Sequence, residues 1–194
     1  MPSKRKGESR RQPACSLPMG TYLAIGAMVG VGVAAACDLR WGRIPNWLTY
    51  TAIAAGLVVR AVLGGWRASL DGLAAGLIGG AVFFMFFLVR GMGAGDVKLM
   101  AAVGVWSGVR QLPAVLIATA LAGGILALAY MLFHKQASRT LRNLGSLFRH
   151  HFSSGGLSPH PEINLQNPHA IRVPYAVAIA AGTFYVHGMT FLRG

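Results

Sequence analysis

Residues 19–38 read MGTYLAIGAMVGVGVAAACD, an uncharged run that ends on a single aspartate. Crossing the hydrocarbon core of a bilayer takes roughly 20 residues of helix. The stretch therefore predicts a transmembrane helix from Met19 to Cys37 with Asp38 at its exit. The preceding residues 1–18 are polar and basic (Lys4, Arg5, Lys6, Arg10, Arg11) and read as a disordered tail. A basic tail before an apolar run imitates a secretory signal. This run is longer than a usual signal core, however, and Asp38-Leu39-Arg40 is not a small-residue cleavage site, so the helix reads as retained.

The pattern recurs along the chain. Apolar runs are expected at about Asn46–Leu63 (closed by Gly64-Gly65-Trp66-Arg67), Leu73–Val89, Asp96–Val109, Pro113–Phe133 and Val173–Leu192. The fourth is short for a full crossing. Composition agrees: 54% of the 194 residues are hydrophobic and 12% charged, about half the charge of an ordinary soluble domain. The expected class is an all-α, polytopic membrane protein with about six transmembrane helices. Its membrane-embedded domain covers 19–194, with 134–172 as a basic cytoplasmic connector.

A net charge of +13 raises the question of nucleic acid, which demands clustered Lys and Arg. Here the basic residues sit mainly at the edges of apolar runs, where cytoplasmic loops and anionic headgroups favour them. The partner implied is the lipid bilayer and not nucleic acid. Cys15 and Cys37 form no C-x-x-C pair, which excludes a paired-cysteine zinc site. Glycines at 72, 76 and 80, and at 104 and 108, recur at every fourth residue, a spacing that lets helix backbones approach closely in lipid. In the connector, Leu141, Leu144 and Phe148 have the spacing of an interfacial amphipathic helix. The five histidines of the connector resemble no metal site.

The whole chain has five acidic residues, Glu8, Asp38, Asp71, Asp96 and Glu162. Glu8 and Glu162 fall in polar segments, and Asp71 precedes an apolar run where it reads as a helix cap. Asp38 leaves the first helix and Asp96 enters the fourth. Helices two and three make one round trip between them, so both carboxylates belong to the same membrane face. Two nearby carboxylates share one proton because both cannot ionise cheaply at short range. One can then act as general base on water while the other donates to a carbonyl. That chemistry needs no metal or cofactor. Gly93-Ala94-Gly95-Asp96 is a G-x-G-D motif whose glycines would allow an irregular, closely approached backbone beside the acid. A competing reading is a small proton- or cation-coupled transporter using the same two acids, although such acids usually lie mid-helix.

Two blocks together resemble the type IV prepilin peptidases, part of the wider G-x-G-D intramembrane aspartyl proteases. Asp38, Arg40, Arg43, Ile44, Pro45 and Asn46 match the first block. Gly93, Gly95, Asp96, Lys98 and Leu99 match the second, and residues 172–180 are similar to the family's last helix. The resemblance covers about residues 20–190. It implies Asp38 and Asp96 as catalytic pair, with Gly93, Gly95, Lys98, Arg43, Pro45 and Asn46 shaping the substrate site. It also implies cleavage of a short basic leader, after a glycine, from prepilin or pseudopilin precursors at the cytoplasmic face of a bacterial inner membrane. Larger members carry a cytosolic region with paired cysteines and methylate the new N-terminus; this chain is similar to the short peptidase-only type of tight-adherence (Flp) pilus systems. Counted with the tail, the basic residues balance across the membrane; without it they favour the aspartate face as cytoplasmic, so that either translation starts at Met19 or the tail is tolerated because the later loops dominate orientation.

Overall fold

The computed structural model describes residues 19–89, 92–133 and 175–193. Regular structure among them is helical: α1 Met19–Trp41, α2 Asn46–Leu88, α3 Ala94–Ser107, α4 Leu112–Phe133 and α5 Tyr175–Arg193. The tail and the 134–172 connector, with its amphipathic stretch and histidines, lie outside the described residues.

The expected second and third helices are the two arms of α2, and the chain reverses between them at Gly65 (φ 73°, ψ −176°). Ser69 Oγ donates to the Leu57 carbonyl at 3.3 Å across 12 residues, which an unbroken helix would hold about 18 Å apart. Only glycine adopts that backbone without strain. The second arm begins directly after Gly65, earlier than the Leu73 expected from the apolar pattern. Arg67, Ser69 and Asp71 obscured it by polarity, but Ser69 and Asp71 are turned back onto the first arm.

Four of the five helices are long and apolar enough to cross a membrane. The exception is α3: its 14 residues rise about 21 Å, short of a hydrocarbon core of about 30 Å. The six expected helices are therefore present as six helical rods, and the fourth, expected to be short, is too short to cross. Helix α3 is stopped by Gly108, whose φ of 78° continues no helix. Apolar side chains cover the outward faces, among them Val58, Val62, Leu77, Ile117, Leu121 and Ile125. Trp41 with Arg40 and Trp66 with Arg67 stand at opposite ends of the rods, as aromatic and basic groups do at the two membrane surfaces.

The short helix is the centre of the molecule. The first arm of α2 runs alongside it in the same direction, from Asn46 beside Lys98 to Ala52 beside Trp106. The second arm returns antiparallel. A Cβ at Gly72 would meet the Val105 carbonyl at 2.9 Å, and one at Gly79 the Met100 carbonyl at 3.3 Å. From the other side, a Cβ at Gly104 would meet the Ala75 carbonyl at 2.5 Å. The glycine spacing read from sequence is thus the contact face between these rods. Helix α1 buries Leu23, Ala24, Ala27, Val31, Ala34 and Cys37, one stripe at helical period. The core joins Val31 and Ala34 of α1, Phe83 of α2, Leu99, Met100 and Val103 of α3, Val115 of α4, and Ala176 and Ile179 of α5.

Candidate active site

Three chain segments meet at the N-terminal end of α3. Gly42 (φ 60°) ends α1 by donating its N–H to the Asp38 carbonyl at 2.8 Å, a left-handed glycine cap. The cap fixes the turn that carries Asp38, which is partly buried. Pro45, extended at φ −68° and ψ 135°, starts α2, where its missing N–H costs nothing.

Asp96 lies in the first turn of α3 and caps its own helix. Its carboxylate accepts from the Gly93 N–H at 3.3 Å, while the Asp96 N–H donates to the Gly93 carbonyl at 3.1 Å. Gly93 is extended, with φ −79°, so a left-handed backbone is not the reason for glycine there. Space is the reason. A Cβ at Gly93 would stand 3.2 Å from the Asp96 carboxylate, and one at Gly95 would stand 3.3 Å from Ile44 Cβ. The close approach expected at these glycines is present at both; the backbone is non-helical at Gly93 and already helical at Gly95.

The two carboxylates share one electrostatic environment. Burial pushes the Asp96 carboxyl up, to about 6; the nearby Asp38 charge adds to the rise, and the Gly93 N–H opposes it. The Ala176 N–H, among the unpaired donors at the start of α5, bonds the Asp38 carboxylate. Two helix N-termini therefore converge on two acids, an arrangement suited to holding negative charge. Tyr175, the residue before Ala176, is half-buried and near enough to Asp96 to interact with its charge.

The other residues singled out from sequence divide into two groups. Lys98 Nζ donates to Asn46 Oδ1 at 2.9 Å and lies 5.1 Å from the centre of the Tyr50 ring, tying α2 to α3 beside the acids. Arg43 is exposed in the link between α1 and α2.

Asp71 is no helix cap. It lies inside the second arm of α2 and pairs with Arg60 at 3.0 Å. Arg60 is 4% exposed and also donates to the Ala68 and Trp106 carbonyls, at 3.2 and 3.1 Å. Sequence reading passed over this arginine, although a lone cation inside an apolar run signals a buried partner. It also passed over His187, 1% exposed and 3.1 Å from Ser107 Oγ, and the Tyr175–Ala176 pair. The signal for that pair was a phenol opening an otherwise apolar helix on the aspartate face.

Comparison with known proteins agrees with the two sequence blocks. The type IV leader peptidase family matches residues 25–128, which include both aspartates. A "Prepilin leader peptidase/N-methyltransferase" of Burkholderia pseudomallei is 38% identical over 120 residues, 57% of this chain and 38% of that protein. A protein of the same name from Aeromonas salmonicida is 34% identical over 102 residues, 49% of this chain and 35% of that protein. The matched region is thus little more than a third of these relatives' length. No solved structure matches the chain. On the match across more than half its length, the chain belongs to the type IV leader peptidase family.

Proposed function

We propose that this protein is an aspartyl endopeptidase that removes the leader peptide of type IV prepilins or pseudopilins, of the Flp type, at the cytoplasmic face of the bacterial inner membrane. The observation that carries the reading is the meeting of Asp38 and Asp96 at one end of the rods, close enough for one charge to raise the pKa of the other. The pair holds one proton between them. The ionised carboxylate takes a proton from water as the water oxygen attacks the scissile carbonyl carbon. The protonated carboxyl holds the carbonyl oxygen as it becomes tetrahedral. Collapse then breaks the C–N bond, and the leaving nitrogen takes a proton from the pair. Gly93 and Gly95, by carrying no side chain, keep the approach to the Asp96 carboxylate clear for an extended substrate, and Lys98 with Asn46 holds the start of α2 in place beside it.

The methyltransferase half of the relatives' name is not carried over, because the match covers only the peptidase-like part of the chain. The test is cleavage of a pilin precursor by the purified protein in lipid, read by mass spectrometry of the products. One cut between leader and apolar segment, insensitive to chelators, is the expected result. An uncut precursor beside a folded enzyme contradicts the proposal.

A further inference from the structure

The first turn of α5 completes the centre. Ala176 has no exposed surface and packs in the same cluster as Ala34, Leu99 and Met100. Ala34 lies one turn before Asp38, and Leu99 one turn after Asp96. Tyr175 is therefore fixed at the level of both carboxylates, and its half-buried side chain remains open to a bound peptide.

We propose that Tyr175 is a further catalytic residue, whose phenol donates a hydrogen bond to the oxygen of the tetrahedral intermediate. This rests on the aspartyl peptidase reading above. The chemical need is specific. The pair's one shared proton is a single donor, and the oxygen of a tetrahedral intermediate can accept more than one hydrogen bond. A phenol ordinarily keeps its proton to about pH 10. As the water oxygen bonds to the carbonyl carbon, the displaced electron pair settles on the carbonyl oxygen. The phenol stabilises that charge without giving up its own proton, as oxyanion donors do. The Ala176 N–H meanwhile holds Asp38 in orientation. An interfacial tyrosine can also be a simple membrane anchor, and the test must separate the two roles.

Full-length protein in lipid is assayed on a synthetic precursor peptide with a basic leader, a glycine and an apolar segment. Tyr175→Phe keeps the ring and removes only the hydroxyl. The expected result is a fall in kcat of about tenfold to a hundredfold, with KM within about twofold and an unchanged melting temperature. A fluorinated tyrosine of lower pKa at position 175 should move the alkaline limb of kcat downward with it, which an anchoring role would not do. An unchanged kcat in Tyr175→Phe, a loss confined to KM or to melting temperature, or an unmoved alkaline limb overturns the assignment. Asp38→Asn and Asp96→Asn are assayed in parallel. If they cleave normally, the aspartyl reading itself has failed; if they are inactive while Tyr175→Phe is fully active, only the tyrosine assignment has.

Discussion

The two ends of α3 carry the same raw material and use it differently. At the C-terminal end, Asp71 meets Arg60, and the guanidinium also binds the Trp106 carbonyl among the last of α3. There a cation neutralises the acid and the negative end of the helix dipole together. At the N-terminal end, Asp96 has another carboxylate for a neighbour, and its helix offers N–H groups. One acid is locked into a structural pair. The other stands beside a second carboxylate and, on the proposed reading, shares a proton with it. The contrast separates Asp71 from Asp38 and Asp96 by what each side chain faces, where depth in the membrane does not.

The largest effect should come from disturbing the locked end. Gly108 has φ 78°, and a Cβ there would stand 2.5 Å from Arg60 Nη2 and 2.6 Å from Asp71 Oδ2. Gly108→Val should cost roughly 3 kcal/mol or more, seen as lost folded yield and a lowered melting temperature. A stable, active Gly108→Val protein would break the picture of a rigid far end. At the other end, Gly95→Val should lower cleavage by about tenfold or more while melting changes less, because its Cβ meets Ile44 beside the acid. Equal losses of stability at both ends would show that the open end is only packing.

Asp71→Asn sharpens the comparison at smaller scale. It leaves Arg60 buried but still bonded to two carbonyls, and Asp71 is 45% exposed. The cost should be about 1–2 kcal/mol, below the roughly 3–5 kcal/mol of breaking a fully buried pair. Cleavage per folded molecule should stay within about twofold. Smallest in energy is a titration. Infrared absorption of a protonated carboxyl should fade as pH rises through about 6 and be absent in Asp96→Asn. In Asp38→Asn the midpoint should move down, since the neighbouring carboxylate is one cause of the rise. An upward or absent shift would place Asp38 outside electrostatic reach.

Much of this was legible in the sequence because lipid makes the code simple. Uncharged runs mark the rods, and the scarcity of acids makes each one conspicuous. Asp38 and Asp96 could be placed on one face by counting crossings, and the Gly72, Gly76 and Gly80 face by its period. What the pattern hid was pairing across a turn. Ser69 and Asp71 looked like a loop because their partners, the Leu57 carbonyl and Arg60, sit on the opposite arm, joined through a backbone reversal at Gly65 that hydropathy does not record. Tyr175 and Ala176 were hidden for a similar reason. They come together with α1 and α3 only through the buried Ala176 contact, which follows from side-chain volume and not from periodicity.

The central claim is that the acids at the open end do chemistry and the acid at the locked end does not. The direct measurement is precursor cleavage by Asp38→Asn, Asp96→Asn and Asp71→Asn proteins, purified in lipid and matched for folded amount. The account predicts loss of about a thousandfold or more in each of the first two, as when an acid–base partner is removed, and nearly full activity in the third. Cleavage that survives in either Asp38→Asn or Asp96→Asn would contradict it.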